Sequence, residues 1–279
     1  MTRLSLLLIS VCGLTVPAAG TAAEPAPPLR LALVSDTHTT RGTKDDQPMY
    51  RGRFDRVIAA VNAAGVDVVV VAGDLTQNGK PEEFDDFKAQ VRGFHAPVYW
   101  VPGNHDIGPK RIPDKQAGPA PARLARYVQT MGRDFYVQPV RGVRLLAIDS
   151  QLFGSGLPEE EKMWTLLEQQ LAAPGGTPAL VFMHMPPFVK SADEPGGDYW
   201  NIEPAPRARL LALLKRGGVA AVLTGHLHYQ LVNHYAGIPL VTTPPVSFGL
   251  PLGIAPQGWT LVTIPPGGEP TFEFKSERD

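Results

Sequence analysis

The segment from Val66 to Ala72, VDVVVVA, constrains this chain most. β-Branched side chains are stiff at χ1 and pack well on a pleated surface. A near-continuous run of them, flanked by Gly65 and Gly73, marks a strand buried on both faces. Such a strand needs cover on each side, and its neighbours in sequence supply it. Phe54, Val57, Ile58 and Val61 recur at helical spacing over residues 54–64, with Gly65 in the C-terminal position that glycine favours. Residues 81–93 open with Pro81 and early acids, as a helix start does. Apolar runs at 31–35 and 97–101 complete a strand–helix–strand–helix–strand series, which predicts an α/β unit with parallel strands.

The remaining pattern alternates in the same way. Helices are expected over 121–131, 158–172 and 207–216, and strands over 135–138, 144–148, 179–183 and 219–224. A strand-rich tail follows at 231–235, 238–242, 258–264 and 271–274. With 28 glycines and 29 prolines in 279 residues, many loops join short elements. The longest are 107–120 and 185–203. The expected layout is one domain over 31–279, containing two sheets, after a Pro-rich linker at 24–30.

Residues 1–23 read as a Sec-type signal peptide. Arg3 precedes an apolar run from Leu4 to Val16, and Thr21-Ala22-Ala23 offers a cleavage site. The run is shorter than the roughly 20 residues a membrane span needs, so no stable anchor is expected after cleavage. The mature protein is therefore expected to be periplasmic or secreted. The single cysteine, Cys12, lies inside this signal. Thiolate chemistry and disulfides are thereby excluded from the mature chain. The net charge of −1, with no basic block, argues against a nucleic-acid partner.

Five strand ends carry side chains that bind metal. They are Asp36-Thr37-His38, Gly73-Asp74, Gly103-Asn104-His105-Asp106, His184 and Gly225-His226-Leu227-His228. Of seven histidines, only His95 and His234 fall elsewhere, and these two read as structural or exposed. Carboxylate oxygens and imidazole nitrogens suit a two-metal site, with one carboxylate placed between the ions. Gly73, Gly103 and Gly225 remove side chains where backbone must bend or approach.

The ordered set DxH, GD, GNHD, a lone His and GHxH resembles the calcineurin-like metallophosphoesterases, and it spans residues 36–228. The resemblance implies a four-layer α/β-β-α sandwich with two mixed β-sheets and a site at the strands' carboxyl ends. It implies that Asp36, His38 and His228 hold one metal, that Asn104, His184 and His226 hold a second, and that Asp74 bridges. The ions implied are manganese, iron or zinc. His105 is implied as the catalytic group over the substrate, with Asp106 orienting it. A metal-bridging hydroxide would attack phosphorus. No tyrosine follows Asp74 in Leu75-Thr76-Gln77, so the iron–tyrosine centre of purple acid phosphatases is not expected. The motifs HMPPF, DYWN, GHLH and TTPPVSFG resemble the CPPED1-type branch, which includes phosphoprotein phosphatases.

The expected activity is hydrolysis of phosphate monoesters, either phosphoproteins or small esters. A phosphodiesterase acting on cyclic nucleotides or other diesters and a non-catalytic metal-binding scaffold are the alternatives. Tyr199 and Asn201, in the long loop after His184, are candidates for substrate contact, ahead of Trp200. Lys110 and Arg111 read most simply as a solvated basic pair, and Asp45 and Asp46 as a solvated turn. Gly249 to Gly253 is expected to turn near the site's mouth.

Overall fold

The computed structural model describes residues 26–173 and 176–277, so the expected signal peptide over 1–23 lies outside the described residues. The first strand, β1 (Leu29–Val34), starts earlier than the sequence suggests. Leu29 and Arg30, expected in the linker, already pair with Ile264 and Thr263. Leu29 is buried, so the apolar register of the strand reaches back to the residue directly after Pro28. Helix α1 (Tyr50–Ala64) follows, with Gly65 left-handed at φ 63°. Then come β2 (Val68–Ala72), α2 (Pro81–Val91), β3 (Val98–Val101) and the single turn α3 (Asn104–Ile107).

Within the expected loop 107–120 lies a small hairpin, β4 (Arg111–Ile112) and β5 (Gln116–Ala117). The second half runs α4 (Pro121–Met131), β6 (Tyr136–Val140), β7 (Val143–Ile148), α5 (Pro158–Gln170), β8 (Ala179–Met183), α6 (Pro204–Arg216) and β9 (Ala221–Thr224). The tail forms β10 (Leu231–Tyr235), β11 (Ile238–Thr242), β12 (Gly258–Ile264) and β13 (Thr271–Ser276).

These strands build two mixed sheets. One has the order β13-β12-β1-β2-β3, and the other β10-β11-β9-β8-β7-β6. In the first sheet β1, β2 and β3 run parallel, while β12 and β13 are antiparallel. In the second, β7, β8, β9 and β11 are parallel, with antiparallel β6 and β10 at the edges.

The alternation of side chains explains the layering. In β2, Val68, Val70 and Ala72 meet Leu145, Leu180, Phe182 and Leu223 of the other sheet. Val69 and Val71 turn the other way, toward Phe54, Val57, Phe84 and Phe87 of α1 and α2. All five residues of β2 are completely buried, as the doubly covered strand requires. Burying each of the four valine side chains is worth about 1.5–3 kcal/mol. The result is helix, sheet, sheet, helix. All the predicted motifs sit past the carboxyl ends of β1, β2, β3, β8 and β9, where open α/β sheets bind ligands.

Candidate metal centre

Asp36, His38, Asp74, His184, His226 and His228 are each at most 5% exposed, and Asn104 is 7% exposed. Their metal-facing atoms fall into two groups that share one residue. Asp36, His38, Asp74 and His228 form one, and Asp74, His184 and His226 the other, with donor atoms in each group within 4.8 Å of one another. Asn104 completes the second group, its Oδ1 3.0 Å from His184 Nε2.

Asp74 occupies the junction. Its Oδ2 lies 3.6 Å from His38 Nε2 and 3.3 Å from His184 Nε2. Its Oδ1 accepts from the backbone N–H of His105 at 2.8 Å, which fixes the carboxylate plane. Asp36 Oδ2 accepts from His226 N at 3.0 Å. Its Oδ1 has no hydrogen-bond partner among the described residues and lies 3.4 Å from His228 Nε2. A buried carboxylate oxygen left bare is costly unless a cation meets it.

Backbone carbonyls set which imidazole nitrogen faces the site. Ala72 O accepts from His184 Nδ1 at 2.8 Å, and Phe248 O from His228 Nδ1 at 2.6 Å, so each turns Nε2 inward. Tyr199 O accepts from His226 Nε2 at 3.2 Å, which turns Nδ1 inward. The inward nitrogens crowd together, with His38 Nε2 and His228 Nε2 3.3 Å apart and His184 Nε2 and His226 Nδ1 3.2 Å apart. Nitrogen lone pairs converge this closely at low cost when a cation lies between them. Asn104 Nδ2 donates to Tyr199 Oη at 2.7 Å, which aims its Oδ1 at the same point. The donor set therefore fits a pair of metal ions sharing Asp74.

Electrostatics agree with that fit. Burial pushes His38 and His226 well below their ordinary value, and neighbouring imidazoles add to this, so both are held neutral as ligands must be. Burial alone would raise Asp74, but His184, His105 and His38 outweigh it and hold its carboxyl well below the usual range. Burial lowers His184, yet the facing Asp74 prevails and pushes it up to about 9, so a proton and a metal compete for that nitrogen.

The local backbone is shaped for convergence. Asp36, His38, Asp74, His226 and His228 all adopt left-handed φ, between 46° and 71°. Asp and His tolerate this region better than most residues, though each instance stores about 1–3 kcal/mol. Close approach also explains two glycines. A Cβ at Gly103 would fall 2.2 Å from Asp74 Oδ1, and one at Gly225 1.7 Å from Ser35 Oγ.

Other predicted residues divide. His105 lies beside the centre, its ring 4.6 Å from that of His38. Asp106 does not orient it, contrary to expectation. Both Asp106 oxygens are taken by Leu75 N, Gly103 N, Thr76 N and Thr76 Oγ1, so Asp106 ties the turn after β2 to the turn after β3. Burial, then the Asp74 charge, pushes its carboxyl up to about 6. The His105 ring is held instead by Gln77 O, 2.7 Å from Nδ1.

Tyr199 reaches the centre as described, with its ring 4.9 Å from that of His226. Asn201 is 3% exposed and its amide is committed to Glu194 and Lys110, which braces the loop. Lys110 is not solvated. It is 1% exposed, and its Nζ donates to Asn201 O and, at 2.8 Å, to Glu203 Oε1. Asp46 accepts from Tyr50 Oη and Arg53 Nη1 and so anchors the start of α1. His95 and His234 are exposed, as expected. The 249–253 turn does border the site, since Leu250 N donates to His228 O at 2.8 Å.

Arg123 was not singled out by the sequence. From α4 its guanidinium donates to the carbonyls of Asp106, Asn78 and His105. It lines, with His105, Asn104, Gln77 and Tyr199, a cavity of about 360 Å³ at the centre's edge. Arginines on the polar face of an amphipathic helix, here Arg123 and Arg126, give no sequence signal for this role.

Comparisons with known proteins match this geometry. A family model described as calcineurin-like phosphoesterase matches residues 29–230. The serine/threonine-protein phosphatase CPPED1 of Danio rerio is 33% identical over 211 residues, 70% of this chain and 64% of that protein. The chain thus aligns with less than two thirds of that relative's length. A cAMP/cGMP dual specificity phosphodiesterase of Mycobacterium tuberculosis is 28% identical over 254 residues, 85% of this chain and 73% of that one. The structure of a purple acid phosphatase from seeds of yellow lupin, Lupinus luteus, shares the fold. Its TM-score is 0.64 at 17% identity, covering 90% of this chain and 52% of that one.

Proposed function

The chain belongs to the calcineurin-like phosphoesterase family, and from that premise we propose that it hydrolyses phosphate monoesters. The observation that carries the reading is the pair of donor groups joined through Asp74. Asp36, His38 and His228 would hold one ion, and Asn104, His184 and His226 the other, with Asp74 shared. When bound, such ions supply Lewis-acid neutralisation of phosphoryl charge and acidify water toward neutral pH.

The chain's own groups do the rest. Asp74, locked by the His105 backbone N–H, keeps the two halves in register. Gln77 O accepts the Nδ1 proton of His105, which leaves Nε2 as the atom that meets substrate. In the imidazolium form, that atom can pass a proton to the departing oxygen. Tyr199 covers the Asn104–His226 side and limits water there.

A second reading, phosphodiester hydrolysis, is favoured by the bacterial cyclic nucleotide relative, whose match extends over more of this chain than that of CPPED1. Turnover of p-nitrophenyl phosphate and of its bis ester, after loading with manganese, iron or zinc, separates the two. Faster monoester turnover is expected, and a reversed preference would establish the second reading. We also propose that residues 29–279 act as one exported domain, the pairing of Leu29 and Arg30 extending the expected 31–279 at its start. The apolar N-terminal segment supports export, and detection of the chain cleaved near Ala23 in the periplasm or medium would test it.

A further inference from the structure

A second cavity, apart from the one His105 lines, measures about 650 Å³ and is bounded by the 189–201 loop, Leu227, Tyr229, Leu250 and Pro251. That size suits a small organic group. Three of its walls are joined directly to metal-facing histidines. Leu227 stands between His226 and His228 in sequence, and Leu250 N is bonded to His228 O. The indole of half-buried Trp200 lies 5.6 Å from the His226 ring.

The loop's polar groups turn inward on themselves. Glu194 takes the N–H groups of Val189, Lys190 and Ser191 and the amide of Asn201. Burial of Arg207 brings its guanidinium to the same loop, at Glu194 O. With Glu194 and Asn201 paired to each other, Trp200, Leu227, Tyr229, Leu250 and Pro251 give the cavity its apolar walls, while the exposed side chains of Lys190 and Asp198 stand at its border. Aromatic and proline walls favour a flat ring, which gains stacking beyond its area burial.

We propose that this cavity binds the non-phosphate half of the substrate, and that this half is an aromatic or heteroaromatic ring system. The inference rests on the phosphoester reading above. Because Leu227, Leu250 and Trp200 join the cavity wall to His226 and His228, a ring seated against them would leave its ester phosphate on the side of the metal centre. Selectivity among esters then resides in Trp200, not in the metal ligands.

The test uses two monoesters of primary alcohols, 2-naphthylmethyl phosphate and ethyl phosphate, whose leaving groups differ little in chemical reactivity. The metal-loaded protein is expected to favour the naphthylmethyl ester at least tenfold in kcat/KM, mainly through KM. Trp200→Ala is expected to bring that ratio near one, while Trp200→Phe retains most of it. Binding of 2-naphthylmethyl phosphonate, which cannot be hydrolysed at the same bond, is followed in parallel by calorimetry. Equal turnover of both esters, or a preference that survives Trp200→Ala, overturns the proposal and leaves phosphoester hydrolysis standing. Trp200-dependent phosphonate binding without hydrolysis of either ester supports the cavity's role and overturns the monoester reading. Absence of both binding and hydrolysis overturns the two together.

Discussion

His105 and Arg123 make one unit at the smallest scale. The imidazole is aimed by Gln77 O, and Arg123 ties the His105, Asp106 and Asn78 carbonyls, so it locks the two turns that hold the ring. His105→Ala is expected to keep both metals and to lower kcat by about 10²- to 10⁴-fold, the usual worth of a general acid. Metal loss with normal turnover per loaded site would contradict the role. Arg123→Ala acts through position, and misplacement on the ångström scale costs about 10²-fold. It should lower kcat with little change in metal content, and added guanidinium should restore part of the rate.

Asp149 poses a different residue-scale question. Burial, and next the Asp134 charge, pushes its carboxyl well above the usual range, and its Oδ2 has no hydrogen-bond partner among the described residues. The native protein therefore retains a proton that the unfolded chain releases near pH 4. The unfolded state binds fewer protons above that pH, so this group's contribution to stability falls as pH rises. Asp149→Asn keeps an acceptor for Gln151 N, bonded to Oδ1 at 3.0 Å. The variant should be more stable than the wild type at pH 7, with the gap closing toward pH 4, as measured by urea unfolding.

Among the elements, the turns after the strands carry the most demanding geometry. Gly225→Ala would place a methyl group against Ser35 Oγ and Asp36 Oδ2. Both are fully buried, so the GHLH turn must shift. Loss of stable metal binding, read by metal analysis of the purified variant, together with a lower Tm is the expected outcome. The strands themselves were legible as short apolar runs between turn residues, and 179–183, 231–235, 238–242 and 258–264 are found as read. Helix α1 begins four residues before the apolar pattern, at Tyr50, because Asp46 anchors it through Tyr50 and Arg53 and the buried Tyr50 ring stacks on Phe248. The ligand set was legible because each member ends a strand. Lys110 was not, since its partners Asn201 and Glu203 lie about ninety residues away and only the fold brings them together. Asp106 was misread for a related reason. Its bonds go to backbone N–H groups of a distant turn, and backbone donors leave no mark in a sequence.

The whole molecule is a device for convergence. Two sheets deliver five strand ends to one place, and the packed layers between helices and sheets hold five left-handed ligand residues that no short peptide would maintain. Asp36 and Asp74 lie buried among imidazoles, an arrangement that makes chemical sense around cations. The account stands on Asp74 being common to two ions, and metal stoichiometry tests that most directly. After loading and removal of free metal, elemental analysis of the wild type should give two ions per chain. Asp74→Ala should retain fewer than one, because both groups lose a donor. One ion or none in the wild type under saturating metal, or two retained in Asp74→Ala, would contradict the account.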